Sequence, residues 1–241
     1  KFQAIAMKEY EPLLLPRKEY ELQRGNRDFR QACWNVILGL NPHIDKKLNL
    51  RTSHFSIETA DFRKEGIAQF EKAAYAMSQL DKAIKMLDQV RDERAKEESQ
   101  RWRACYDLLY AQCIAYRVRI FQYMLTLDDH GQKATKPKDP KHNRWHIYWV
   151  KKHADPNETQ FALFKKHFGV KGTREEYIKD LDKQRAMADA AFDDVMKEHE
   201  GTPWFARAKW DKNRGYGFQF RSHFHDPRYS QVGKRIKVPK F

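Results

Sequence analysis

The chain is 241 residues long, 41% hydrophobic and 33% charged, with a formal net charge of +14. That composition excludes a disordered chain and a membrane-spanning one, and it leaves room for one large domain or two small ones with a real core. The positive excess points to anionic surroundings: nucleic acid, acidic polymer, lipid headgroups or an acidic partner protein.

In chain order, residues 1–16 hold a short apolar run, EPLLLP, and read as an irregular lead-in. From Arg17 to Leu40 the pattern turns helical, with Phe29, Cys33, Val36, Ile37 and Leu40 at three- and four-residue steps. Gly39, Asn41 and Pro42 end it. Ile67 to His130 contains neither glycine nor proline. Its first half predicts one buried face from Ile67, Phe70, Ala74, Met77, Ile84 and Leu87. Its second half predicts another from Trp102, Cys105, Leu109, Cys113, Tyr116, Ile120, Tyr123 and Leu127. A single helix of that length would run ~95 Å, so two helices folded back as an antiparallel hairpin are expected, with Ser99 as the second N-cap.

Residues 131–153 carry seven Lys/Arg against one Asp and read as a basic loop leading into a short strand or extended segment, WHIYWV. Asp155-Pro156 with Glu158 predicts a capped helix ending at Gly169, and Thr173 with Glu176 a capping box for the next. Gly201, Thr202 and Pro203 predict a helix stop, an N-cap and a first helical position, opening a short helix to about Asp211. This helix–turn–helix grammar resembles tetratricopeptide arrays, although no 34-residue period repeats. The fold class expected is all-α: irregular tetratricopeptide-like antiparallel helical hairpins over 17–211, with a basic aromatic extended tail over 212–241.

Chemistry-bearing motifs are few. The run RGYGFQF, Arg214 to Phe220, opens like the RNP1 signature of RNA-recognition motifs. That motif needs a further helix and strand afterwards, and the 21 residues following Phe220 show no helical period. Tyr216, Phe218 and Phe220 instead predict an alternating aromatic strip on an extended segment. Residues 202–241 hold ten Lys/Arg, two Asp/Glu and nine aromatics, a composition that suits anionic partners of several kinds. His223 with His225, or His142 with His146, could present paired imidazoles, but neither pair has a third ligand at a recognisable spacing, so no metal or cofactor is expected. GxSxG, P-loop, GxGxxG and HExxH sequences do not occur, and no enzyme is expected. Cys33, Cys105 and Cys113 form no CxxC and read as buried small hydrophobes.

Several segments, taken together, resemble the α-helical C-terminal region of bacterial proteins that carry a von Willebrand factor A domain. FQAIAMKEYEPLLLPRKEYE resembles the stretch that follows the A domain. SQRWRACYDLLYAQCIAYRVRIFQY resembles a helix after a short break, with Trp102, Arg103, Tyr106, Asp107 and Leu108 at its head. NRWHI resembles an Asn/Trp piece between helices, and AMADAAFDDVMKEHEGTPWFARAKWD the terminal helix pair. Gly217-Phe218-Gln219-Phe220 falls where the family has glycine–aromatic–x–aromatic. The A domain's metal-binding DxSxS sequence does not occur here, so no metal ligand carries over; the resemblance implies an A domain N-terminal to Lys1. It also implies export, hence periplasm, cell envelope or secretion.

The function expected is therefore non-enzymatic: protein–protein interaction or scaffolding, with an acidic partner or a second copy of the chain. The alternative is binding of nucleic acid or another polyanion through the tail. Trp210, Arg214, Tyr216, Phe218, Phe220, Arg221, Arg228, Lys234 and Arg235 are the candidate contact residues, since interface energy concentrates in buried aromatics and arginines.

Overall fold

The computed structural model describes residues 2–12 and 14–229. Helices α1 (Ala4–Lys8), α2 (Arg17–Gly25) and α3 (Asp28–Gly39) lead through a 3-10 turn, Lys46–Leu48, to a two-residue strand β1 (Phe55–Ser56). Two long helices follow, α4 (Thr59–Gln89) and α5 (Gln100–Lys133), joined by a 3-10 turn at Arg91–Lys96. Strand β2 (Arg144–Val150), helices α6 (Glu158–Phe168), α7 (Arg174–Glu198) and α8 (Pro203–Asn213), and strand β3 (Gly217–His223) complete the order.

The molecule is mostly helical, as expected, but the all-α expectation needs amending. The three strands form one antiparallel sheet in the order β1-β2-β3, with Phe55 opposite Trp145 and Ile147 opposite Phe220. The sheet escapes sequence reading because its members are short and far apart in the chain. WHIYWV, expected as a short strand or extended segment after a basic loop, is the central strand, and the last turn of α5 already occupies the start of the supposed loop. The segment expected as one helix from Arg17 to Leu40 is two, α2 and α3, interrupted at Asn26 and Arg27.

α5 is the axis of the fold. It packs along α4 on one side and α7 on another, and α8 folds back on α7. It is therefore buried most of the way round: Trp102 and Tyr106 meet Phe29, Cys33 and Leu87 at one end. Ala111, Ala115 and Val118 meet Ala188, Phe192 and Ala208 in the middle. Phe121, Met124 and Leu127 meet Phe55, Trp145, Ile147 and Phe164 at the other end. A single-stripe reading of α5 misses Tyr106, Ile114, Val118 and Phe121 for that reason. On α4 the buried side is Phe62, Gln69, Ala73, Ala76, Leu80, Ala83 and Leu87, with Met77. Ile67, expected in the core, is 65% exposed on the rim of an apolar groove with Phe62, Phe70 and Leu163.

Local signals account for the ends. Thr173 and Glu176 make the expected capping box, and Thr202 caps α8 with Pro203 behind it. Gly169 closes α6 at φ 62°, a left-handed position that glycine adopts at no steric cost. The start of α6 is displaced from expectation: Asn157, with Gln160, forms the capping box rather than Asp155. The polar stretch RDERAKEESQ is used as staples. Buried Glu97 takes a two-pronged bond from Arg30 (2.8 and 2.6 Å), tying α3 to the α4–α5 turn. Arg94 donates twice to Asp107 at 2.5 Å. Burial raises the thiols of Cys105, to about 11, and Cys113, to about 12; Cys33 is raised as well, so all three behave as small hydrophobes. No helix among the described residues is long and apolar enough to cross a membrane.

Candidate anion-binding face

Side chains alternate across a strand, so β2 and β3 each sort their residues between two faces. Trp145, Ile147, Phe218 and Phe220 point into the helical core. The other face takes Arg144, His146 and Tyr148 from β2 and Gln219, Arg221 and His223 from β3. Neither strand contains an aspartate or glutamate. Arg144, Tyr148, Arg221 and His223 are exposed, and the Arg221 guanidinium lies 5.2 Å from the centre of the Tyr148 ring.

On the opposite, inner side of the strand pair, Trp149 beside Phe218 opens a ladder of arginines and aromatic rings. Arg214, which caps the end of α8, is held between Trp149 (3.6 Å) and Trp210 (4.3 Å). Arg207 lies 4.7 Å from Trp210, and buried Arg119 lies 5.2 to 5.4 Å from Trp149, Tyr216 and Tyr116. One carboxylate serves these cations. Asp211, fully buried, accepts from Gln112 (2.7 Å), Arg207 (2.8 Å), Tyr116 (3.3 Å) and Arg119 (3.5 Å). Arg119 also donates to the Gly215 carbonyl at 3.1 Å. Arg214 pairs with no carboxylate among the described residues, and burial, with Arg119 adding repulsion, lowers its guanidinium pKa.

The expected contact residues divide accordingly. Arg221 stands on the basic face against Tyr148, whereas Arg214 and Trp210, the latter 49% exposed, belong to the ladder that starts at Trp149. Arg228 is also exposed, but it is engaged with Asp226 (3.0 and 2.9 Å). Tyr216, Phe218 and Phe220 are turned inward. Tyr216 is 4% exposed and donates to Asp189 at 2.8 Å, Phe218 packs 4.5 Å from Trp149, and Phe220 packs among Phe55, Phe62 and His130. Tyr216 is buried, whereas Phe218 and Phe220 are half-buried against the core. Lys234 and Arg235 lie outside the described residues.

The histidine pairs are rearranged too. His142 bonds Ser222 Oγ (2.8 Å) and stands apart from His146, because this stretch is strand and not helix. His146 instead faces His223 and His54, and His225 faces His54. His54 carried no sequence signal, since its neighbours lie about ninety and 170 residues away along the chain.

A second polar group is buried where α1's trailing segment, α5 and the end of α7 meet. Tyr10 Oη lies 2.8 Å from His199 Nδ1, and His199 Nε2 lies 2.9 Å from Asp107. Asp107, Glu198 and His199 are close enough to suggest a metal seat, but Arg94 bridges both carboxylates and is the cation of that cluster. His199 is 1% exposed, with Trp204 stacked on Tyr10 at 5.3 Å, so the group ties these three segments together. Its arginine partner and its backbone neighbour, Gln3 N–H bonding the Gly201 carbonyl at 3.0 Å, serve the same attachment. The chain has no significant match among protein-family models, curated proteins or solved structures.

Proposed function

We propose that the protein is a non-enzymatic interaction or scaffold subunit whose helical body, built from irregular tetratricopeptide-like hairpins, docks an acidic partner protein on the outer face of its sheet. The observation that carries this reading is the acid-free pair of strands β2 and β3, which expose Arg144, Arg221 and His223 on one face of the sheet. Electrostatic complementarity of this kind steers association and fixes register. The resemblance to the helical region of A-domain proteins supports reading the subunit as one of the bacterial cell envelope. Three segments carrying that resemblance meet in the Tyr10–His199–Asp107 staple, which supports reading them as one structural unit.

The native assembly provides the test. Its co-purifying chains, identified by mass spectrometry, should include one with an acidic surface, and the doubly reversed variant Arg144→Glu/Arg221→Glu should release it. An assembly unchanged by that double reversal overturns the reading. A second reading, polyanion binding, is favoured by Tyr148 and Trp210, exposed rings with arginines stacked on them. Tight binding of single-stranded DNA that weakens steeply as salt rises would establish it in place of the first, because counterion release is the signature of phosphate contacts.

A further inference from the structure

Four imidazoles from three separate stretches of chain meet on the outer face of the sheet. Their rings stand in a row: His223 is 4.9 Å from His146, His146 is 4.8 Å from His54, and His54 is 4.7 Å from His225. Strand register accounts for the row. Phe55 opposite Trp145 sets His54 beside His146, and Arg144 opposite His223 sets the second neighbour one diagonal step away.

Three observations show that the group is held in place. His54 has φ 63°, a left-handed conformation that costs energy for any residue with a Cβ and is retained where the surroundings demand it. Its Nδ1 is engaged by Ser53 Oγ at 2.9 Å, which leaves Nε2 as its free ligand atom. His225 is clamped by the Asn143 amide on both sides of its backbone, N–H to Oδ1 at 2.8 Å and carbonyl to Nδ2 at 2.9 Å. The third is an orphan: His146 Nε2 is buried and has no hydrogen-bond partner. A buried nitrogen without a partner requires an explanation, and a bound ion supplies one.

We propose that His54, His146, His223 and His225 bind a divalent transition metal, with Zn2+ the ion that fits an all-imidazole site best. His146 Nε2 and His54 Nε2 are the central ligands. As the rings stand the four nitrogens do not yet converge, so binding requires the outer rings to turn about their side-chain bonds to reach the ~2.0–2.1 Å usual for zinc and nitrogen. A cleft of about 720 Å3 lined by Arg51, His54, Asp61, Glu65, Arg144 and His225 gives the ion its way in. The site rests on the imidazole row and does not depend on the anionic-partner reading.

The experiment is calorimetric titration of the tag-free, chelator-treated full chain with ZnCl2. One Zn2+ per chain is expected, with micromolar or tighter affinity, and Co2+ in its place should show the visible bands of nitrogen coordination. His146→Ala should weaken binding by about 10-fold or more, the scale on which shell losses act. His54→Gly should weaken it as much while the melting temperature of the metal-free protein holds or rises, because glycine takes φ 63° without strain. That variant keeps the test decisive if His146→Ala fails to fold. His167→Gln, on the exposed side of α6, should bind as the parent does. Absence of stoichiometric zinc, or parental affinity in His54→Gly, overturns the proposal.

Discussion

His130 shows what one residue's surroundings do to its chemistry. Its ring lies 4.4 Å from Phe220, 4.5 Å from Trp145 and 4.7 Å from Phe62, enclosed by aromatic faces. Burial pushes its pKa down to about 4, with Lys133 adding to the fall and Asp129 opposing it. In the unfolded chain the same imidazole titrates near 6.5. Below that value the unfolded state binds a proton that the folded state refuses, so the stability His130 contributes is complete above pH 6.5. It drains away as pH falls toward 4. The loss is on the order of 1–3 kcal/mol. His130→Phe removes the titration and keeps the aromatic contacts. Urea unfolding of both proteins between pH 7.5 and 4.5 should show the acid-side decline flattened in the variant. Equal slopes would mean that the ring is not protected from protonation in the folded protein.

At the scale of elements, β3 rewrites the meaning of RGYGFQF. Gly217 stands where a Cβ would collide with the Lys152 carbonyl, so the second glycine of the run is there to let β2's trailing backbone pass. Gly215 adopts φ 76° to turn from α8 into the strand. Replacing Gly217 by alanine should cost about 1–3 kcal/mol, the usual penalty of overpacking, and should loosen β3 from β2 first. Hydrogen exchange at Trp149 and Gln219 would register that loosening, and unchanged protection there would refute the packing argument. Much at this scale was legible in the sequence. Thr173, Glu176, Thr202 and Pro203 are local signals whose partners sit within four residues, so they read correctly. The aromatic alternation of Phe218 and Phe220 was visible as well. What covers those rings, and the pairing of β1 with β2, were not visible, because both are set by residues distant in the chain. The row of imidazoles was half visible for the same reason: His223 and His225 are neighbours in sequence, whereas His54 joins them only through strand register.

At the scale of the whole molecule, α5 organises three cores and the charged residues organise its ends. The net charge of +14 is unevenly spent. Arg30, Arg94 and Arg119 are taken up internally by Glu97, Asp107 and Asp211, whereas Arg144, Arg221 and Arg214 are left facing solvent or the edge of the sheet. The segment around Tyr10 is fastened to the far end of α7 through His199, so the beginning and the later helices of the chain form one body.

The sheet's wide spacing along the chain also sets a timetable. Phe55 finds Trp145 ninety residues later, and Ile147 finds Phe220 seventy-three residues later. The α4–α5 hairpin needs only its short turn to close. Closing long loops costs entropy before any contact repays it, and topologies rich in distant pairings fold slowly. During synthesis the helical hairpin can therefore form while the last strand is still unmade. The basic face and its imidazoles exist only after residue 225 has joined. Pulsed hydrogen exchange during refolding should find α5 amides protected before those of β2; simultaneous protection would contradict this order. A partner or ion that recognises this face thus recognises completion, and a half-folded chain offers it nothing to hold.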